Sequence, residues 1–230
     1  MKQFLSILLA MWVSPTTESQ DFKRLRENMV RSQIESRGIT HNLTLNTMRK
    51  VERHLFVPAA HRKRAYEDTP LPIGYGQTIS QPFIVAEMTQ LLAPKKGYRV
   101  LEIGAGSGYQ AAVLGEIVQE VYTIEIVKNL GEQTKKLMRE LGYNNVHVII
   151  GDGYQGYKKK APYDAIIVTA AAEEIPDPLI EQLKEGGKMI IPIGAAADVQ
   201  NLMLLEKKEG KLLKTALTPV RFVPFTRGND

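Results

Sequence analysis

The chain of 230 residues contains no cysteine. Disulfides, thiolate nucleophiles, cysteine-ligated zinc and iron–sulfur clusters are thereby excluded. Histidine is scarce as well. His41, His54, His61 and His147 are the only ones, no two stand at a metal-ligand spacing, and no metal site is expected. Charge of one sign does not dominate: 30 Lys and Arg against 25 Asp and Glu leave a net charge of +5, too mild in a chain of this length to point to nucleic acid. A bilayer takes about 20 apolar residues; the apolar stretch Phe4–Val13 is too short, so no stable membrane insertion is expected. There is no G-x-S-x-G segment of the kind that presents a nucleophilic serine, and no internal repeat. What remains is 43% hydrophobic and 24% charged, the composition of an ordinary globular protein.

Phe4–Val13 follows Lys2 and precedes the polar run Ser14–Gln20. Residues 1–20 read as a short secretory signal lacking a clear cleavage site, or as an alternative start or disordered extension. Residues 21–230 read as one domain. Its first part, 21–96, is a helical cap with a functional loop. Helices are expected over 21–37, closed by Gly38, over Thr44–Arg53 and over Phe83–Leu92. Between the last two, Pro70, Pro72, Gly74, Gly76 and Pro82 make 68–82 a long loop or a succession of turns.

After Gly97 the periodicity alternates. Strands are expected at Arg99–Ile103, Glu120–Glu125, Val146–Ile150, Tyr163–Thr169 and Gly187–Ile193, with helices at Ser107–Gly115, Lys128–Leu141 and Asp177–Lys184. That alternation predicts an α/β fold with a doubly wound, mostly parallel Rossmann-like sheet over 97–200. Leu202–Glu206 and Leu212–Val223, with no helix between them, predict an antiparallel hairpin within 201–230.

The strongest local signal is Val100-Leu101-Glu102-Ile103-Gly104-Ala105-Gly106-Ser107-Gly108, an apolar strand running into a glycine-rich turn at the mouth of a helix. A dinucleotide fold wants G-x-G-x-x-G, and Tyr109 breaks that fingerprint. G-x-G-x-G after an acid instead resembles motif I of the S-adenosylmethionine-dependent methyltransferases. That cofactor has no phosphate; it carries an ammonium, a carboxylate and a sulfonium. Glu125, at the end of the next strand, is placed to accept from both ribose hydroxyls. Asp152, between Gly151 and Gly153, suits the adenine amino group, with the Gly153 N–H for a ring nitrogen.

Further along, the resemblance narrows. Pro72-Ile73-Gly74-Tyr75-Gly76-Gln77-Thr78-Ile79-Ser80-Gln81-Pro82, preceded by Ala65-Tyr66-Glu67-Asp68, is similar to the signature loop of the protein-L-isoaspartate O-methyltransferases. Tyr122-Thr123-Ile124-Glu125, Ala161-Pro162-Tyr163-Asp164, Val168-Thr169-Ala170-Ala171 and Arg221-Phe222-Val223-Pro224 match as well, so the likeness spans about 28–225. Ala105 stands where threonine is common, and residues 1–20 are absent from most bacterial members.

The resemblance implies methyl transfer from S-adenosyl-L-methionine to the free α-carboxylate of L-isoaspartyl residues in damaged proteins and peptides. It places the cofactor at Glu102, Gly104, Ala105, Gly106, Ser107 and Gly108, then Glu125, Asp152, Gly153 and Thr169. It places the acceptor at Gln77, Thr78, Ile79, Ser80 and Val223, with Ser80 the active-site residue. A monomer is expected, in the cytoplasm because the donor is made there, or in the periplasm if 1–20 act as a signal. Lys158-Lys159-Lys160 reads as a solvated turn. The competing readings are a methyltransferase with another acceptor, a dinucleotide oxidoreductase and a non-enzymatic binding protein.

Overall fold

The computed structural model describes residues 15–195 and 198–228. Lys2 and Phe4–Val13 lie outside them. Helix α1 (Pro15–Met29) crosses the boundary drawn at residue 20. The single helix expected over 21–37 is three pieces: α1, a wider π turn over Val30–Ile34 and a tight 3-10 turn over Glu35–Arg37. The change of pitch keeps Met29, Val30 and Ile34 all buried. Gly38 ends the run at φ 93°, as a left-handed cap should. Helix α2 (Asn42–Lys50) stops before Arg53, because Val51 is extended and Arg53–Phe56 turns separately. There Arg53 is buried and its Nε donates to the Ala65 carbonyl at 2.7 Å.

The stretch read as loop contains a small antiparallel hairpin, β1 (Leu71–Gly74) against β2 (Gln77–Ile79). Pro72 obscured it, yet Pro72 points outward from a two-stranded ribbon, where a missing N–H is tolerated. Leu71, Ile73 and Ile79 face inward. Helix α3 (Pro82–Leu92) follows, with proline in its first turn.

Strands β3 (Arg99–Ile103), β4 (Glu120–Glu125), β5 (Val146–Ile150), β6 (Tyr163–Val168) and β7 (Leu183–Ile193) are mutually parallel. Strands β8 (Gln200–Lys208) and β9 (Lys211–Val220) continue the sheet antiparallel, giving the order β5-β4-β3-β6-β7-β8-β9. The expected hairpin is therefore present, but it is also paired with β7. The crossovers are α4 (Tyr109–Gly115) between β3 and β4, α5 (Lys128–Glu140) between β4 and β5, and α6 (Asp177–Gln182) between β6 and β7. Helix α6 ends before the expected Lys184 because the chain there already enters β7 through a bulge, the register stepping from Tyr163–Leu183 to Ala165–Lys188. Among the described residues no helix is long and apolar enough to cross a membrane.

Successive strand side chains point to opposite faces. Val100, Ala165, Ile167 and Ile190 join the core beneath α1–α5, while Leu101, Ile103, Ile166, Val168, Met189 and Ile191 join a second core with Leu179 of α6. Both faces are covered, which is why these strands are apolar throughout. Ile166 is completely buried in the central strand β6; Ile166→Ala should lower stability by about 2–5 kcal/mol in denaturant unfolding.

Candidate active site

Strand β3 pairs with β4 on one side and β6 on the other, so the chain direction of the crossovers reverses at its carboxyl end. Open α/β sheets bind ligands at such a point. There Gly104, Gly106 and Gly108 have φ of 95°, 51° and 85°. These angles hold 104–108 as a turn and delay α4 to Tyr109, two residues later than expected. A Cβ on Gly104 would lie 2.5 Å from Thr169 Oγ1. That hydroxyl in turn lies 3.0 Å from the Ile103 carbonyl and 2.8 Å from that of Gly104, tying the end of β6 to the turn.

Glu125 holds the turn from the other side. Its Oε2 accepts from the Gly106 N–H at 2.8 Å and its Oε1 from the Val127 N–H at 2.9 Å. Thr134 of α5 donates to the Gly106 carbonyl at 2.6 Å. Nothing in the sequence marked Thr134, whose role depends on α5 packing beside the turn. Asp152 Oδ1 accepts from the Tyr154 N–H at 2.9 Å and Oδ2 from Arg227 Nε at 3.0 Å. The Arg227 guanidinium also lies 3.7 Å over the Tyr154 ring. Residues after β9 fold back to make these contacts, the Phe225 N–H donating to Ala171 O at 2.8 Å.

A first cavity is lined by Gly104, Gly106, Glu125, Gly153 and Thr169, with Gln77 and Thr78 from the hairpin and Val223–Thr226 from the tail. A second lies under the glycine turn, among Glu102, Gly104–Ser107, Ile79, Ser80 and Thr169. A groove of about 760 Å³ runs from Ser80 along Phe83, Ile84 and Glu87 of α3, with Thr218–Val223 on its other side. Thr78 and Thr169 border all three, and Ser80 borders the second cavity and the groove.

The residues singled out from sequence thus gather at one end of the sheet. Within that group, Gln77 faces the first cavity rather than the groove, Ile79 is buried, Asp152 lines none of the three although Gly153 beside it lines the first, and Gly108 lines neither cavity but caps α4 against Met138 and Thr134. Lys158–Lys160 form an exposed turn away from the cavities. No histidine lines the cavities or the groove.

Glu102 is the anomaly. It is fully buried on β3, and neither carboxyl oxygen has a hydrogen-bond partner among the described residues. Burial pushes its pKa up to about 8; Thr123 on β4, its neighbour in register, eases the shift without reaching hydrogen-bond geometry, and Glu125 adds to it.

A dinucleotide has no place here. The third glycine of its fingerprint, which lets the helix pack closely on the strand, is replaced by the buried Tyr109. The pocket offers instead an unpartnered acid on its floor and a second acid beside the turn. Such a pocket, on a parallel sheet extended by the reversed strand β8 and by β9 antiparallel to it, is that of the S-adenosylmethionine-dependent methyltransferases. The orphaned oxygens of Glu102 fit the cofactor's ammonium, and Gly153, where a Cβ would lie 2.3 Å from Ile103 Cγ2, leaves no side chain in the way. The family described as protein-L-isoaspartate(D-aspartate) O-methyltransferase matches residues 23–230, and the chain belongs to that family. It is 54% identical over 223 residues to the protein-L-isoaspartate O-methyltransferase of Opitutus terrae, covering 97% of this chain and 96% of that one. A solved protein-L-isoaspartate O-methyltransferase superposes with TM-score 0.80 at 32% identity, over 86% of this chain and 65% of that longer one. A Plasmodium falciparum structure described as an enzyme of the same kind, in complex with S-adenosyl-L-homocysteine, gives TM-score 0.75 at 30% identity, over 90% and 99% of the two chains.

The raised pKa of Glu102 has a measurable sign. Below the ordinary value of 4.5 both folded and unfolded forms are protonated; between 4.5 and about 8 only the unfolded form ionises. Folding stability without cofactor should therefore be highest below pH 4.5 with respect to this group and decline toward pH 8, by at most about 1.4 kcal/mol per pH unit. Glu102→Gln should abolish this component, so the stability of the variant relative to wild type should rise with pH across the same window in denaturant titrations.

Proposed function

We propose that this chain methylates the free α-carboxylate of L-isoaspartyl residues in damaged proteins and peptides, opening their repair through a succinimide. The observation that carries the reading is the continuity of the cofactor cavities with the groove at Thr78, Thr169 and Ser80. Membership of the family supports the same acceptor.

S-adenosylmethionine, when bound, supplies a methyl group on a positive sulfonium. Glu125 keeps a free lone pair on each oxygen after accepting its two backbone N–H groups, enough for the two ribose hydroxyls. Asp152 and the Gly153 N–H take the adenine edge, with Arg227 sharing the Asp152 carboxylate. Glu102 meets the ammonium. Ala105 and Ser107 shape the turn beneath the methionyl part.

An isoaspartyl carboxylate has a pKa of about 4 and is ionised at neutral pH, so no residue has to remove a proton. The absence of histidine from the lining agrees with a reaction that needs alignment rather than a base. Ser80 donates its hydroxyl to the acceptor carboxylate, and Thr78 and Val223 flank it. The resulting ester loses methanol as the neighbouring amide nitrogen attacks its carbonyl. We assign the activity to a cytoplasmic monomer.

The test is methyl transfer to an isoaspartyl peptide and to its normal aspartyl counterpart; equal rates on the two would overturn the acceptor. Ser80→Ala should lower peptide kcat/KM about 10- to 150-fold, the loss of one hydrogen bond of about 1.5–3 kcal/mol to a charged group, with cofactor affinity by calorimetry retained. Glu125→Gln places an amide N–H against a backbone N–H at Gly106 or Val127, so cofactor affinity should fall tenfold or more. Normal cofactor binding by that variant would remove Glu125 from the ribose site.

A further inference from the structure

Beyond Ser80 the groove continues along the face of α3 that carries Phe83, Ile84 and Glu87. Methyl transfer makes no use of Glu87. Its Oε2 is shut off from water and has no hydrogen-bond partner among the described residues. Arg37 acts on it from a distance, but that guanidinium is already engaged: Nη1 lies 2.6 Å from Asp68 Oδ2 and the group stacks 3.4 Å over the Phe83 ring. Burial raises the Glu87 pKa and the field of Arg37 only partly offsets it. A carboxylate on the wall of a groove with one oxygen lacking a donor is poorly solvated, and a cation brought up to the group recovers part of that cost. The other cation of the lining, Arg221, belongs to the segment after β9 and not to α3.

We propose that Glu87 is a specificity-determining residue of the acceptor groove, favouring isoaspartyl peptides that carry a lysine or arginine two or three residues from the damaged position. The proposal rests on reading the groove as the acceptor site. The spacing follows from helix geometry. From the Gln81 cap, next to Ser80, to Glu87 the helix rises about 9 Å, which an extended peptide covers in about three residues. The long side chains of lysine and arginine make two residues sufficient as well. A cationic head there meets the Glu87 carboxylate, whereas an acidic side chain at the same position meets like charge in a poorly hydrated wall.

The experiment uses the full chain and isoaspartyl peptides that differ only in having Lys, Gln or Glu at two or three residues before or after the isoaspartyl position. In wild type the Lys peptide should exceed the Gln peptide about three- to tenfold in kcat/KM on one side of that residue, through KM and not kcat, and the Glu peptide should fall below both. In Glu87→Gln the Lys-to-Gln ratio should collapse to about one, and in Glu87→Lys the order should invert. No preference for Lys at any of the four positions in wild type would overturn the proposal. So would a ratio that survives in Glu87→Gln, or a loss in that variant shared equally by the Lys, Gln and Glu peptides, which would mean that Glu87 meets the peptide backbone. Equal turnover of the Gln peptide and its normal aspartyl control by wild type would instead overturn the reading of the groove.

Discussion

The carboxylate of Glu125 receives one backbone N–H from each of two segments, Gly106 in the turn after β3 and Val127 after β4. This pair of charge-assisted bonds fixes the ends of two adjacent parallel strands relative to each other. Thr169 and Thr134 clamp the same turn from β6 and α5. Four elements therefore converge on a few peptide groups, and the positive φ angles of the turn leave room for no substituent at Gly104. A rigid cradle of this kind suits a reaction whose requirement is alignment.

Electrostatics at the site follow from that cradle. The acids do different work because their surroundings differ. Glu125 is buried yet satisfied by N–H donors, whereas Glu102, one strand away, is buried with none. The first ties two strand ends together and keeps a lone pair on each oxygen; the second is a buried acid whose pKa desolvation raises. Glu87 repeats the second situation in a milder form on the groove wall, half-buried and within the field of an engaged arginine. Unmet acceptors thus stand in two places, one beside the cavity under the glycine turn and one on the groove.

The hairpin β1–β2 and the tail after β9 bring the two halves together. Thr78 from the hairpin and Val223 from the tail border both a cofactor cavity and the groove, although they are far apart in the chain. Backbone bonds between Ala171 and both Val223 and Phe225 hold the tail across the end of the sheet. The groove is therefore lined mostly by segments before and after the α/β core, with Thr169 the contribution of the sheet's end.

Periodicity alone was enough for the alternating strands and helices of 97–193, because strands buried on both faces have to be apolar and their crossovers amphipathic. The glycine turn was legible for a similar reason, since it depends on residue type at local positions; Ser80 was marked only by its loop's likeness to the family's signature loop. Three features were not. The hairpin at 71–79 was hidden by Pro72, since a proline harmless on an exposed ribbon looks the same in sequence as one that breaks a strand. The early start of β7 came from a bulge set by pairing with β6. The partners of Glu102, Thr134, Arg227 and Glu87 depend on which distant segments pack beside them. Hydrogen-bond satisfaction of a buried group is a property of its neighbours in space, and only the tertiary structure decides whether a carboxylate is held by two N–H groups or left with none.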